Sequence, residues 1–181
     1  ARAFVNNAVT PAQFDRLKAM LDGAVNGLTV DAELRWYIFI CGVKRSIFGP
    51  SEITAEGDRD KTAHGTQYVA YAHAAIPTKE AKVAAFKSVT TDDLSNTIHS
   101  YKCRGFNESI HWDLLEGFVD QYFDAILKVW ETKGYEIAET TATLTFPTWA
   151  ISEATVTKAQ HWLDVTGKDS SNALRRSVTE G

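Results

Sequence analysis

The chain has 181 residues, of which 44% are hydrophobic and 23% charged, with a formal net charge of −4. That is an ordinary globular balance in a length sufficient for one substantial domain with its own core. Mild acidity offers no electrostatic footprint for nucleic acid. The longest strongly apolar run, Trp36 to Val43, falls far short of the roughly 20 residues a membrane helix needs. Neither nucleic acid nor membrane is therefore expected as a partner.

The four prolines stand at seams between helical patterns, where a residue without a backbone N–H is tolerated. Thr10-Pro11 opens a run, Pro50 closes the next, Pro77-Thr78 divides two more, and Phe146-Pro147 ends another. The first full helix spans Thr10 to Gly23. Thr10 and Gln13 make a capping box, Phe14, Leu17, Met20 and Leu21 form one face, and Gly23 suits a left-handed stop. A helix from about Asp31 to Phe48 is apolar nearly all round and predicts burial on most sides. Ser51 to Asp60 reads as a short polar helix or turn. Thr62 to Ile76 is rich in small residues that permit close approach, and Thr78 caps a helix through Val89. Asp92 to Cys103 is the next, ended by Gly105.

The cleanest pattern runs from His111 to Lys133. Leu115, Phe118, Val119, Tyr122, Phe123, Ile126, Leu127 and Trp130 recur at three- and four-residue steps. Acids dominate its early turns, and Lys128 and Lys133 its late ones, as the helix dipole favours. Gly134 is expected to terminate it. Tyr135 to Phe146, Ser152 to Val165 and Ser170 to Val178 complete about ten helices, and none of the runs alternates like a strand. Helix pairs recur at roughly 30–45 residues. The expectation is one all-α domain over residues 1–181, a HEAT- or armadillo-like solenoid of helix hairpins, with a closed bundle as the alternative.

The search for chemistry is mostly negative. No His-Glu-x-x-His motif is present, and His64, His73, His99, His111 and His161 never pair at a four-residue helical step. Neither a phosphate-cradling glycine loop nor a Gly-x-Ser-x-Gly elbow occurs. No catalytic or metal-ligating residue is therefore assigned. Cys41 and Cys103 are the only cysteines, too few for a secreted framework, and a reducing cytoplasm is expected. Cys41, among apolar neighbours, reads as core and not as a nucleophile. Asp58-Arg59-Asp60-Lys61 reads as a solvated turn with weak ion pairs. Three cations remain as candidate substrate contacts. Arg35 lies inside an apolar helix and must reach solvent, an internal acid or a ligand. Lys102 and Arg104 close a helix, where meeting the dipole competes with binding an anion.

Certain words of the chain are more specific. Leu28-Thr29-Val30-Asp31 precedes Leu34-Arg35-Trp36. Asp60-x-Thr62-x-x-Gly65 is followed by Ala74-Ala75-x-Pro77 with Lys82, then Leu94-Ser95-Asn96 and Gly105-Phe106. Tyr122-Phe123, Val129-Trp130-Glu131, Trp162-Leu163 and Leu174-Arg175-Arg176 complete the set. In this order, from about Phe4 to Glu180, the chain resembles the C-terminal domain of bacterial aminopeptidase N, particularly its actinobacterial form. This is the endoplasmic-reticulum-aminopeptidase-like C-terminal region of the zinc aminopeptidase family. Phe86 stands where tryptophan is expected, and Ile110 to Asp113 lacks the expected proline-tyrosine. Both read as packing variation.

The resemblance implies a helical bowl closing over a catalytic domain of the same polypeptide, bounding a peptide chamber and limiting substrate access. Some relatives use a basic residue here to engage the far end of a peptide. The family's catalytic words, Gly-Ala-Met-Glu-Asn and the zinc motif with its distal glutamate, are missing from this chain. The resemblance places them upstream, so zinc is a cofactor of the parent and none is expected here. The chain alone is expected to be inactive, while the parent is a peptide hydrolase. A free-standing helical-repeat interaction module is the alternative.

Overall fold

A computed structural model describes residues 1–181. Twelve α-helices account for the fold, and no strand is present. In chain order they are α1 (Arg2–Asn6), α2 (Pro11–Leu21), α3 (Ala32–Val43), α4 (Pro50–Arg59), α5 (Ala63–Ala74) and α6 (Lys79–Thr91). Then follow α7 (Asn96–Phe106), α8 (Trp112–Leu115), α9 (Phe118–Thr132), α10 (Tyr135–Leu144), α11 (Glu153–His161) and α12 (Asn172–Glu180). A 3₁₀ turn, Ser109–His111, leads into α8, and a π turn, Trp162–Thr166, extends α11.

Side-chain caps set many of the boundaries. The Thr10–Gln13 capping box is formed in both directions, with Pro11 in the first turn of α2. Asp31, Thr62, Thr78, Ser95, Ser152 and Ser171 each accept the backbone N–H three residues on. Each cap satisfies a donor that the helix itself cannot. Gly23 has φ +72°, the left-handed stop its position predicts.

Several boundaries differ from the sequence pattern. Pro50 opens α4 instead of closing α3, which stops at Val43 because Lys44 to Gly49 turn the chain. The run from His111 to Lys133 is broken at Glu116-Gly117. The break turns both Leu115 and Phe118 into one cluster with Ala74, Ala85, Phe86 and Phe106. Val119, Tyr122, Phe123, Ile126 and Val129 face a different cluster. Gly134 is the N-cap of α10 and terminates nothing. Gly105 lies within α7, because a Cβ there would meet the Tyr71 carbonyl oxygen at 2.3 Å. It permits close helix approach, whereas the sequence suggested a stop.

Packing follows a simple order. Helices α3, α5, α7, α10 and α12 lie side by side in sequence, each on the next. Helices α2, α4, α6 and α9 pack on their hairpin partners α3, α5, α7 and α10. The largest cluster joins Tyr122, Phe123 and Ile126 of α9 to Ala142, Phe146, Trp162, Leu174 and Val178. Its polar tips are satisfied: Tyr122 donates to the Ala142 carbonyl at 2.8 Å, and the Trp162 indole to the Phe123 carbonyl at 3.0 Å. Leu115, Phe118, Tyr122, Phe123 and Ile126 are all buried, as the periodicity predicts. Burying such side chains is the main favourable term, about 1.5–3 kcal/mol for each large one.

Candidate functional site

Helix periodicity brings aromatic and cationic residues from three helices to one place. Tyr37, Ile40 and Cys41 of α3 and its C-cap Lys44 follow the i, i+3, i+4, i+7 face, with Arg45 just beyond. On α5, Tyr68 and Tyr71 are three apart, and on α7, Tyr101 and Arg104 are three apart. These faces, with Asn6 of α1 and Ile110 of the 3₁₀ turn, line a cavity of about 420 Å³. The Tyr68 ring stacks on Trp36 at 5.6 Å and meets Tyr101 edge-on at 5.6 Å, so the aromatic wall is held from behind.

The electrostatics of this cavity are lopsided. Lys44 pairs with Glu108 at 3.2 Å, and the Tyr71 hydroxyl donates to the same carboxylate. Burial, with that acid beside it, holds the Tyr71 phenol well above its ordinary pKa. Arg45 reaches only neutral acceptors, the Cys41 carbonyl at 3.3 Å and sulfur at 3.1 Å, and the Asn6 carbonyl at 3.4 Å. Arg104 is exposed and joins none of the six ion pairs in the chain. Three cations and four phenols thus face one carboxylate. A cavity of this kind suits an anionic group on a ligand with apolar or aromatic surface.

The three cations singled out from the sequence lie in three different settings. Arg104 lines the cavity. Lys102, two residues earlier, is on another face of α7 and donates to Ser88 of α6 at 2.7 Å. Arg35 forms a bidentate pair with the buried Glu56 of α4 at 2.5 and 2.7 Å, and donates to the Leu21 carbonyl at 2.7 Å. Its internal acid is therefore Glu56, which the sequence did not flag. Asp60, read as part of a solvated turn, accepts from the Trp36 indole at 2.7 Å and from Thr62. Those hydrogen bonds hold its carboxyl below the usual range. Lys61 and Asp58 do form the exposed pair expected there.

A larger cleft, about 770 Å³, lies between α10 and α12, but its Arg176 is already paired with Glu180 at 2.7 Å. No three His, Cys, Asp or Glu side chains converge as a metal site. The residues present do not fit a zinc ion. His99 Nε2 lies 3.0 Å from both the Val89 carbonyl and the Thr141 hydroxyl, and His111 Nε2 lies 2.8 Å from the Lys44 carbonyl. Both cysteines are free and buried, and burial pushes the Cys103 thiol up to about 12. No helix is long and apolar enough to cross a membrane.

Fold and cavity together define an all-helical domain with a basic, tyrosine-lined recess. The chain belongs to the ERAP1-like C-terminal domain family, whose model matches residues 2–181. It is also similar to an Aminopeptidase N of Streptomyces lividans, with 40% identity over 185 residues. That match covers 99% of this chain and 21% of the relative, so the chain spans about a fifth of that protein's length.

Proposed function

We propose that this chain is the non-catalytic C-terminal domain of a zinc-dependent aminopeptidase, and that its Tyr–Arg cavity faces the peptide chamber. The carrying observation is the cavity itself, set in a chain that matches the family model nearly end to end. In this reading the parent removes N-terminal residues from peptides in the cytoplasm. Its zinc and catalytic groups lie in another domain of the same polypeptide, where metal-activated water attacks the peptide bond.

The helix row α3–α5–α7–α10–α12 forms one wall of a helical-hairpin solenoid, and the domain limits which substrates reach the metal. Arg104 and Arg45 offer donors to a peptide carboxylate, and the tyrosines offer surface to the adjacent side chain. Arg104 is the strongest of the three sequence candidates, because its guanidinium has no acidic partner. Arg35 is bound to Glu56 and the Leu21 carbonyl within the domain, and Lys102 points to Ser88 on another face of α7.

The test compares the parent enzyme with and without residues 1–181, using a short aminoacyl substrate and long peptides, after circular dichroism shows that the catalytic part remains folded. The expected result is a larger change for long peptides. Equal changes for both substrates refute a sizing role.

A further inference from the structure

Lys82 is the only buried lysine, with no exposed surface at all. An ammonium in that position costs free energy unless its hydrogen bonds are made. It donates to the carbonyls of Ala74 at 3.0 Å, Gly105 at 3.0 Å and Phe106 at 2.9 Å. All three of its N–H donors are thus taken by backbone, and no carboxylate shares the charge directly. The acceptors are the last residue of α5 and the last two of α7, whose carbonyls have no partner within their own helices. The C-terminal ends of both helices carry partial negative charge, which favours a cation there. The Phe106 ring lies 6.0 Å from the same nitrogen.

We propose that the Lys82 ammonium is a built-in cation that clamps the ends of α5 and α7, and so positions the wall bearing Tyr71, Arg104 and Glu108. The clamp stands on geometry alone; only its effect on ligand binding rests on the reading of the cavity given above. Lys82 reaches across from α6, the helix between the two it joins. Gly105 brings α7 against the Tyr71 carbonyl, and Lys82 bonds carbonyls of both helices next to that approach. Tyr71 precedes Ala74 by three residues, Arg104 directly precedes Gly105, and Glu108 follows Phe106 by two. A shift at these carbonyls therefore moves all three cavity residues.

The charged groups around it are consistent with this arrangement. Burial pushes the Lys82 ammonium down to about 8, Glu108 works against that shift, and Lys44 works with it. His111, which also feels Lys82, is held largely neutral by burial. The protonated form, with three donors for three carbonyls, prevails at neutral pH.

The test uses Lys82→Met and Lys82→Ala variants of the 181-residue chain and amide hydrogen exchange. Expected is a loss of protection of about tenfold or more in the last turns of α5 and α7, with α10 and α12 unchanged. Millimolar propylammonium is expected to restore protection in Lys82→Ala. Propyltrimethylammonium, equally charged but without N–H donors, is expected not to. Unchanged protection in both variants, or equal rescue by the two cations, overturns the clamp. If neither variant folds, the wild-type chain decides by ¹⁵N-lysine spectra at pH 7. One ammonium signal with hydrogens far slower to exchange than every other lysine supports it. Fast exchange at every lysine overturns it.

Discussion

Replacing Phe118 with alanine probes the point where two core clusters meet. Phe118 is 5% exposed, and its ring centroid lies 5.3 Å from Phe86 and 5.1 Å from Phe106. It also opens α9 directly after the break at Gly117. The lost ring leaves a void of roughly 100 Å³, which at about 24 cal/mol per Å³ costs about 2.4 kcal/mol if the walls do not collapse. Loss of apolar burial adds about 2 kcal/mol. The neighbours are rigid rings on two other helices, α6 and α7, so little collapse is expected and the total falls at about 3–5 kcal/mol. Urea unfolding measures this directly. With a slope of about 2 kcal/mol per molar, the midpoint should drop by roughly 2 M at unchanged slope. A loss below about 1 kcal/mol would mean that the site is plastic, and the three-ring junction would not be a tightly packed centre of its cluster.

Two further outcomes follow from buried charge. Glu56→Ala strands Arg35, whose side chain is only 18% exposed, and should destabilise by about 2–4 kcal/mol in thermal or urea unfolding; a double variant with Arg35→Met should recover part of that, and strict additivity of the two would show that the pair is not coupled. Burial lowers the pKa of His99 and His111, so both stay neutral in the fold below the pH at which they protonate when unfolded. As pH falls through about 6.5 the unfolded chain takes up protons that the folded one does not, and stability falls by at most about 1.4 kcal/mol per pH unit for each histidine. Melting temperatures at pH 7 and 5.5 check this, and equal values would contradict the assignment.

Much of the fold was legible because local chemistry and global packing agree. The Thr10 capping box, the Thr78 cap and the α9 stripe each say the same thing at two levels. Misread boundaries lay where tertiary contact overrides local preference. Gly105 looks like a helix stop in sequence, but it is needed without a side chain for contact with Tyr71. Gly117 sits in a helical pattern that breaks so that Leu115 before it and Phe118 after it enter the same cluster.

The cavity was only partly legible. Arg104 was visible as a cation without an obvious duty. Tyr37, Tyr68, Tyr71 and Tyr101 were not, because an aromatic at helical spacing reads as core. The i, i+3 and i+7 relations of Tyr37 to Ile40 and Lys44, of Tyr68 to Tyr71 and of Tyr101 to Arg104 were present in the sequence. Which faces of α3, α5 and α7 meet is decided by the close α5–α7 packing, which no single helix encodes. Glu56 and Glu108 are acids on exposed-looking stretches, and only the fold shows that each meets a partly buried cation.

The central claim is that the Tyr–Arg cavity reads the far end of a peptide while another domain cuts its near end. Arg104→Ala in the full-length parent tests it most directly, because Arg104 has no structural partner to lose. A charge-assisted hydrogen bond contributes about 1.5–3 kcal/mol. The account therefore predicts that kcat/KM for a long peptide with a free C-terminal carboxylate falls by roughly 10- to 100-fold. It predicts no change for a small aminoacyl substrate, and little change for the same long peptide amidated at its C-terminus. An equal loss on all three substrates, or no loss on the free-acid peptide, would contradict it.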